Sequence, residues 1–191
     1  MQGPYFVGTD PRFRQGDILR DVTVVSWASI NADEIELLER NYQYCVVLSQ
    51  ECDLEHDFNN RFDDEKRSRA QDKFLTSLLL CPAYIAADVK SGTHLEASQM
   101  RMQQIGRDDF KKIQQNNNYR YHHLPENQEL QLPNLVIDFK HYLTIPTEIA
   151  YKDAFRDKVI ASLGDLFREH LSGRFAHYLS RIGLPEIETA A

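Results

Sequence analysis

Residues 42–48 read Tyr-Gln-Tyr-Cys-Val-Val-Leu, and this stretch decides the fold. It is aromatic and β-branched, with apolar residues on both faces at its end, which predicts a strand buried in the core. The same criterion predicts four more strand regions, the second of them ended by Cys81-Pro82: residues 22–27, 74–80, 119–124 and 135–145, the last as one or two strands.

The segments between these strands predict turns and helices. Residues 29–33 predict a turn, 35–40 suit either helix or strand, and the charge-dense 59–73 predicts an exposed loop or short solvated helix. Within 94–118, apolar residues at helical spacing predict two short helices that are separated by Gly106.

The strongest helix prediction covers residues 162–182, where apolar residues recur at alternating steps of three and four. Ser162 is the predicted N-cap, with Asp165 three residues later, and Gly183 and Pro185 are placed to end the helix. The pattern therefore predicts an α+β fold: a small, strongly bent antiparallel sheet or SH3-like barrel with inserted short helices and a long C-terminal amphipathic helix.

Length and composition set further limits. The 191 residues, 42% of them hydrophobic, predict a single domain with a barrel core at about 14–150, a helical insertion at about 94–117 and the terminal helix. No apolar run of about 18 residues and no secretory signal are recognisable, so we expect a cytoplasmic protein without membrane association. Three cysteines do not form a disulfide framework, and the net charge of −7 argues against a general nucleic-acid coat protein.

Residues 49–57, Ser-Gln-Glu-Cys-Asp-Leu-Glu-His-Asp, directly follow the central strand. A sheet holds side chains at its strand ends rigidly, so sites are commonly built there. This motif supplies five candidates: Ser49 and Asp53 as catalytic residues, and Gln50, Cys52 and His56 as binding residues. The alternative is structural, with Ser49 and Asp53 bonding the turn that ends the strand.

Residues 118–123, Asn-Tyr-Arg-Tyr-His-His, form the second candidate segment. Side chains alternate on a strand, which gives two sets: Arg120 with His122, and Tyr119 with Tyr121 and His123. An imidazole can move protons to and from the 2′-hydroxyl of RNA, a guanidinium can stabilise the phosphorane, and tyrosines can stack on unpaired bases. The alternative is a Tyr/His row that faces the core beside an exposed arginine.

Other chemistries have weaker support. Zinc could bind Cys52, His56 and Cys81 with His122 or His123, but no CxxC or HxxxH pair anchors such a site. Cys52 paired with a histidine could act as a nucleophile. The sequence has no glycine-rich phosphate loop. We therefore expect neither metal nor cofactor.

Three short segments of the sequence resemble, in their order, strand segments of MazF/PemK-type toxins: Gly16-Asp17-Ile18, Cys45-Val46-Val47-Leu48-Ser49 and Leu79-Leu80-Cys81-Pro82. The resemblance implies an SH3-like barrel, an antitoxin partner, homodimerisation and metal-independent endoribonuclease activity. Of the family's cleavage residues, Ser49 matches the hydroxyl near the strand end. The basic run before that strand is absent, and Arg40 is the nearest positive charge. Residues 58–73 and 94–117 are additional to the family's pattern.

The sequence thus predicts an endoribonuclease of a toxin–antitoxin or phage-defence system that acts on single-stranded RNA. In this interpretation Ser49 and Asp53 position the 2′-hydroxyl, Arg120 or Arg40 stabilises the phosphorane, and His122 or His123 moves protons. The alternative is a non-catalytic SH3-like interaction module that binds protein or nucleic acid, which the acidic charge and the missing basic run favour.

Overall fold

The computed structural model describes residues 3–8, 10–31, 34–69 and 71–181. Eight strands are present in this part of the chain: β1 (Tyr5–Phe6), β2 (Asp17–Asn31), β3 (Glu34–Val47), β4 (Ser77–Ile85), β5 (Tyr121–Leu124), β6 (Leu135–Asp138), β7 (Leu143–Pro146) and β8 (Val159–Leu163). They form one antiparallel sheet in the order β1-β8-β2-β3-β4-β6-β5, and β7 also pairs with β4. The sheet curls strongly into a half-barrel, which confirms the predicted α+β class.

The helices are short except for the first and the last: α1 (Glu51–Arg61), α2 (Asp64–Arg67), α3 (Ala86–Ser91), α4 (Arg107–Gln114), α5 (Thr147–Ala150), α6 (Asp153–Arg156) and α7 (Asp165–Leu179). Single 3₁₀ turns lie at Gln71–Lys73 and Glu96–Ser98. Helix α4, which starts directly after Gly106, confirms the second of the two predicted short helices. The first is wrong in extent, because only a single 3₁₀ turn forms at Glu96–Ser98 and residues 100–106 are extended.

The central strand is covered on both faces, as its sequence predicts. Val46 belongs to a core layer that α7 completes through Leu171 and Phe175. Cys45 and Val47, its neighbours in sequence, point into a second core layer. Because successive side chains of a strand alternate, a run of consecutive apolar residues requires two apolar layers.

The sequence predicts that Cys81-Pro82 end this strand, but β4 continues to Ile85. On one edge, β4 pairs with β7 up to Leu80 and with β6 from Ala83 onward. Pro82 falls between these two stretches, so its missing N–H interrupts neither ladder. Strands β6 and β7 therefore lie end to end along this edge of β4, and the turn between them lies at the groove described below.

Strands β2 and β3 extend beyond the sheet as a two-stranded arm, defined here as residues 22–31 and 34–42. Asp21 has a φ of 56°, and from there to the hairpin end the two strands pair only with each other among the described residues. Residues 35–40 are therefore strand, and the strands pair as far as Asn31 and Glu34. Among the arm side chains that the structure describes, four apolar ones are more than half exposed: Val25, Ile35, Leu37 and Leu38. The rest of the predicted turn, residues 32 and 33, lies outside the described residues.

The polar segment after β3 forms helix α1, which ends at Arg61. The exposed loop or short solvated helix predicted for residues 59–73 is found at α2, which buries none of its residues. Leu54 packs into the second core layer, and Asp57 is fully buried. The Asp57 carboxylate accepts hydrogen bonds from Arg61 Nη2 (2.7 Å) and from the backbone N–H of Leu75 (2.8 Å). A distant backbone partner therefore stabilises a helix whose apolar content is low.

The predicted start of the terminal helix was also wrong. Ser162 lies in β8, and its hydroxyl is 2.5 Å from Asp17 Oδ1, so it cannot cap α7, which begins at Asp165 after Gly164. The predicted apolar face is only partly buried, because Leu166 and Phe167 are exposed. Since β8 pairs with β1 and β2, the sheet extends beyond residue 150, the predicted limit of the barrel. The predicted end of the helix, from Ile182 through Gly183 to Pro185, lies outside the described residues.

We expect Leu171→Ala to lower the free energy of unfolding by about 2–5 kcal/mol, because Leu171 is fully buried where α7 meets the sheet. Leu166→Ala is the matched control on the same helix. Its side chain is 79% exposed, so the change should stay within about 0.5 kcal/mol. Urea unfolding measures both, and equal effects would contradict the described docking of α7.

Candidate active-site groove

An open groove lies beside β4, between the base of the arm, the segment after α3 and the turn between β6 and β7. Two adjoining cavities form it, and both are lined by Arg40, Tyr42 and Tyr84. His94 lines the first cavity and His141 the second. We call this feature the Tyr84 groove.

A fully buried carboxylate, Asp138, lies beneath the groove at the end of β6. Arg120 donates two hydrogen bonds to this carboxylate, from Nε to Oδ1 (2.8 Å) and from Nη2 to Oδ2 (2.5 Å). The backbone N–H of Lys140 donates a third hydrogen bond at 3.1 Å. The sheet register positions this pair, because Asp138 is opposite Tyr121, the residue after Arg120. The hydrogen bond to Asp138 raises the pKa of Arg120, so the guanidinium stays charged.

His141 lies three residues after Asp138 and reaches the groove with a quarter of its side chain exposed (24%). Its Nδ1 is 3.5 Å from Asp138 Oδ2 and 3.3 Å from the Tyr84 hydroxyl. Burial lowers the pKa of His141, and Arg120, Lys140 and Arg40 lower it further, while Asp138 opposes them. The imidazole is therefore neutral at pH 7. Because a carboxylate faces Nδ1, we assign the ring hydrogen to Nδ1, which leaves a lone pair on Nε2.

Tyr84 and His94 form the other side of the groove. Their rings are edge to face, with centroids 4.9 Å apart. Both ring nitrogens of His94 are buried and have no hydrogen-bond partner among the described residues. Burial lowers the pKa of His94 and raises the pKa of Tyr84, so both are uncharged at neutral pH. Since no described carboxylate forms an ion pair with Arg40, this arginine brings positive charge to the groove.

The groove thus combines a neutral imidazole, a carboxylate behind it, a phenol and a cation. A histidine whose one nitrogen faces a buried carboxylate can accept a proton through the other nitrogen. A guanidinium beside it can stabilise negative charge that develops on a phosphate. The arrangement is suited to proton transfer on a phosphate-bearing substrate.

The first predicted segment lies elsewhere. The Ser49 hydroxyl accepts a hydrogen bond from the Leu79 backbone N–H (2.8 Å) and so joins β3 to β4. Gln50 precedes α1, and Cys52 and Asp53 are exposed in its first turn. The Cys52 Sγ is 3.8 Å from both Gln50 Oε1 and Asp53 Oδ1. His56 is exposed on the next turn of the helix.

One residue of the second predicted segment, Arg120, helps to position the groove by holding Asp138. His122 is buried, with its ring centroid 6.1 Å from that of Phe139 and 5.4 Å from that of His170, and burial lowers its pKa to about 3. Tyr121 is buried and His123 half-buried, whereas Tyr119 is exposed with its ring 4.3 Å from the Arg181 guanidinium.

The structure does not join the two predicted segments directly. No hydrogen bond or ion pair links residues 49–53 with 118–123 in the described part of the chain, and helix α7 contacts both. Arg168 of α7 lies 3.5 Å from Glu51, and Arg174 donates hydrogen bonds to the backbone oxygens of Asn116, Asn118 and Tyr121. The predicted shared surface of these segments is therefore replaced by two separate neighbourhoods along one helix.

Sequence reasoning missed Tyr84, His94, Asp138 and His141. A signal existed for two of them, because Asp138 and His141 end the apolar run Leu-Val-Ile in the same way that residues 49–53 end the central strand. Tyr84 and His94 carried no signal, since the change of partner along β4 and the packing after α3 bring them together.

The described residues contain no group of three or more His, Cys, Asp or Glu side chains that could hold a metal ion. The zinc ligands considered from the sequence are dispersed: Cys81 is fully buried and its Sγ donates to the Asp138 and His141 carbonyls, while Cys52 and His56 are exposed on α1.

Among the described helices, none has the length and apolar content needed to cross a membrane. Comparison with protein families, curated proteins and solved structures gives no match for this chain.

We expect His141 to titrate below 6.5, the ordinary histidine value. Asp138→Asn should lower its pKa further, because the carboxylate that favours the imidazolium is removed. Histidine-selective NMR over a pH series, with His141→Gln for assignment, measures both values. A wild-type pKa at or above 6.5, or a rise in the variant, would contradict the geometry.

Proposed function

We propose that this protein is a metal-independent endoribonuclease that cleaves single-stranded RNA, in a toxin–antitoxin or phage-defence setting. The observation that supports the proposal is the pairing of His141 with the buried Asp138 in a groove that Arg40 also lines. The resemblance to MazF/PemK-type toxins supports the setting, and the curled antiparallel sheet is compatible with it.

The proposed reaction uses the groove's own residues. His141 Nε2 removes the proton from the 2′-hydroxyl, and the 2′-oxygen attacks the adjacent phosphorus. Arg40 stabilises the charge on the phosphorane, and the bond from phosphorus to the 5′-oxygen breaks. The 5′-oxygen takes a proton from solvent, which leaves a 2′,3′-cyclic phosphate and a 5′-hydroxyl end.

Other residues position these groups. Asp138 orients His141, and Arg120 holds Asp138 rather than contacting the phosphate, so it is a positioning residue. The proton-transfer role predicted for His122 or His123 passes to His141, because His122 is sealed beneath α7. Tyr42, which lines both cavities, offers a face on which an unpaired base can stack.

His141→Gln should lower the rate of RNA cleavage at least about 100-fold, since a positioned acid–base group contributes about 10²–10⁴-fold. The wild type should cleave in EDTA. His56→Gln, an exposed histidine on α1, is the matched control and should keep the wild-type rate. Gel analysis of a fluorescent RNA in EDTA measures these rates.

Three results would contradict the proposal: no cleavage by the wild type, cleavage that EDTA abolishes, or equal rates for wild type and His141→Gln. In cells, induced expression of the wild type should slow growth, and His141→Gln should relieve this effect. If the wild type and His141→Gln slow growth equally, the growth effect does not come from the chemistry of the groove.

The second candidate function is a non-catalytic interaction module that binds protein or nucleic acid. The arm favours it, because Val25, Ile35, Leu37 and Leu38 expose apolar surface of a kind that suits an antitoxin, another protein partner or a second copy of the chain. The acidic charge of −7 also favours a protein partner over a general nucleic-acid ligand. Binding of RNA without cleavage by both wild type and His141→Gln would support this function.

A further inference from the structure

A third cavity shares His94 with the Tyr84 groove and is built largely from the insertion at residues 94–117. Its walls are the extended segment 100–106, the start of α4 and the residues before β5. His94 lines both this cavity and the groove, and Arg120 lines the cavity while it holds Asp138. A ligand in this cavity would therefore share the His94 side chain with a ligand in the groove.

The extended segment is fixed at two points. The Met102 N–H donates to the Gly92 carbonyl (3.0 Å), and the Ile105 N–H donates to the Lys90 carbonyl (2.9 Å). Gly92 has a φ of 82°, and a Cβ there would lie 2.3 Å from the Met102 oxygen, so only glycine fits. Gln103 and Gln104 lie between the two anchors and line the cavity, and no described residue bonds their backbone groups or amides.

Polar groups around the cavity have complementary roles. The Asn118 Oδ1 accepts from the backbone N–H groups of Arg120 (2.9 Å) and Tyr121 (3.4 Å), which leaves the Asn118 NH₂ group as a donor. Asp109, in the first turn of α4, offers only acceptor oxygens, and one of them pairs with Lys112 at the surface. Ile105 and Ile113 supply apolar surface to the same cavity.

The combination of Asp109 and Asn118 matches one standard nucleobase best. Guanine presents two adjacent donors, N1–H and N2–H, and an acceptor, O6, along its Watson–Crick edge. A carboxylate suits the two donors and an amide NH₂ suits O6, while adenine and the pyrimidines lack that combination. Apolar side chains and the His94 ring can cover the base faces.

We propose that this cavity binds a guanine base of an RNA that also occupies the groove and gives the enzyme a preference for guanine. Asp109 accepts from N1–H and N2–H, Asn118 donates to O6, and Gln103 and Gln104 close the pocket. The inference takes its substrate from the proposed endoribonuclease function and adds the base that is recognised.

The test uses two readouts on the full chain. The first compares cleavage rates of matched RNAs that differ in one base, and we expect guanine to be favoured at least about tenfold over adenine. The second measures binding of guanosine 3′-monophosphate to His141→Gln by calorimetry, with the adenosine, cytidine and uridine nucleotides as comparisons. It reports on the cavity whether or not the chain cleaves RNA.

Asp109→Asn should reduce the guanine preference in both readouts to below about threefold, because an amide NH₂ would then face the guanine donors. Asp108→Asn is the matched control, since Asp108 lines a different cavity of the same helix and should keep the preference. Thermal unfolding of both variants checks that α4 is intact.

The outcomes separate the two proposals. Cleavage without base preference, or equal binding of all four nucleotides, overturns the guanine pocket and leaves the endoribonuclease proposal standing. Guanine-selective binding that Asp109→Asn removes, without any cleavage by the wild type, overturns the endoribonuclease proposal and retains the pocket. An equal loss of preference in Asp108→Asn also overturns the assignment of Asp109.

Discussion

The buried ion pair between Asp138 and Arg120 is the interaction on which the account of the groove depends. Burying a carboxylate is costly unless its oxygens are hydrogen-bonded, and here two guanidinium nitrogens of Arg120 and a backbone N–H supply those bonds. The pair sets the end of β6, and so the direction in which the next turn presents His141. Without it, the imidazole would lose the carboxylate that orients its ring.

The curl of the sheet provides the space above this pair. Strand β4 passes from β7 to β6 across Pro82, and the two apolar layers on either side of β3 keep the centre of the sheet rigid. Tyr84 lies in β4 and Asp138 in β6, whereas His141 lies in the turn after β6 and His94 in the segment after α3. A precise scaffold with side chains at its ends is the usual way in which a fold supports proton transfer.

The sequence indicated the strands better than the site, for identifiable reasons. The run at 42–48 could be recognised because its apolar residues need two core layers whatever the topology. Helix α1 was missed since Asp57 is stabilised by Leu75, eighteen residues away, and Ser162 was misread because its partner Asp17 is distant in sequence. The role of His141 was not predicted, because the pairing of β5 with β6 brings Arg120 to Asp138 and so makes Asp138 the group that orients the imidazole. The apolar run before Asp138 indicates a strand end but not this partner.

The most direct test is NMR of the isotope-labelled protein with a short RNA whose attacking 2′-hydroxyl is replaced by hydrogen, which cannot be cleaved. The account predicts that the signals of Arg40, Tyr84 and His141 shift on titration, while those of Ser49 and Cys52 do not. Shifts confined to the first turn of α1, or spread evenly over the surface, would contradict the assignment of the groove as the site of chemistry.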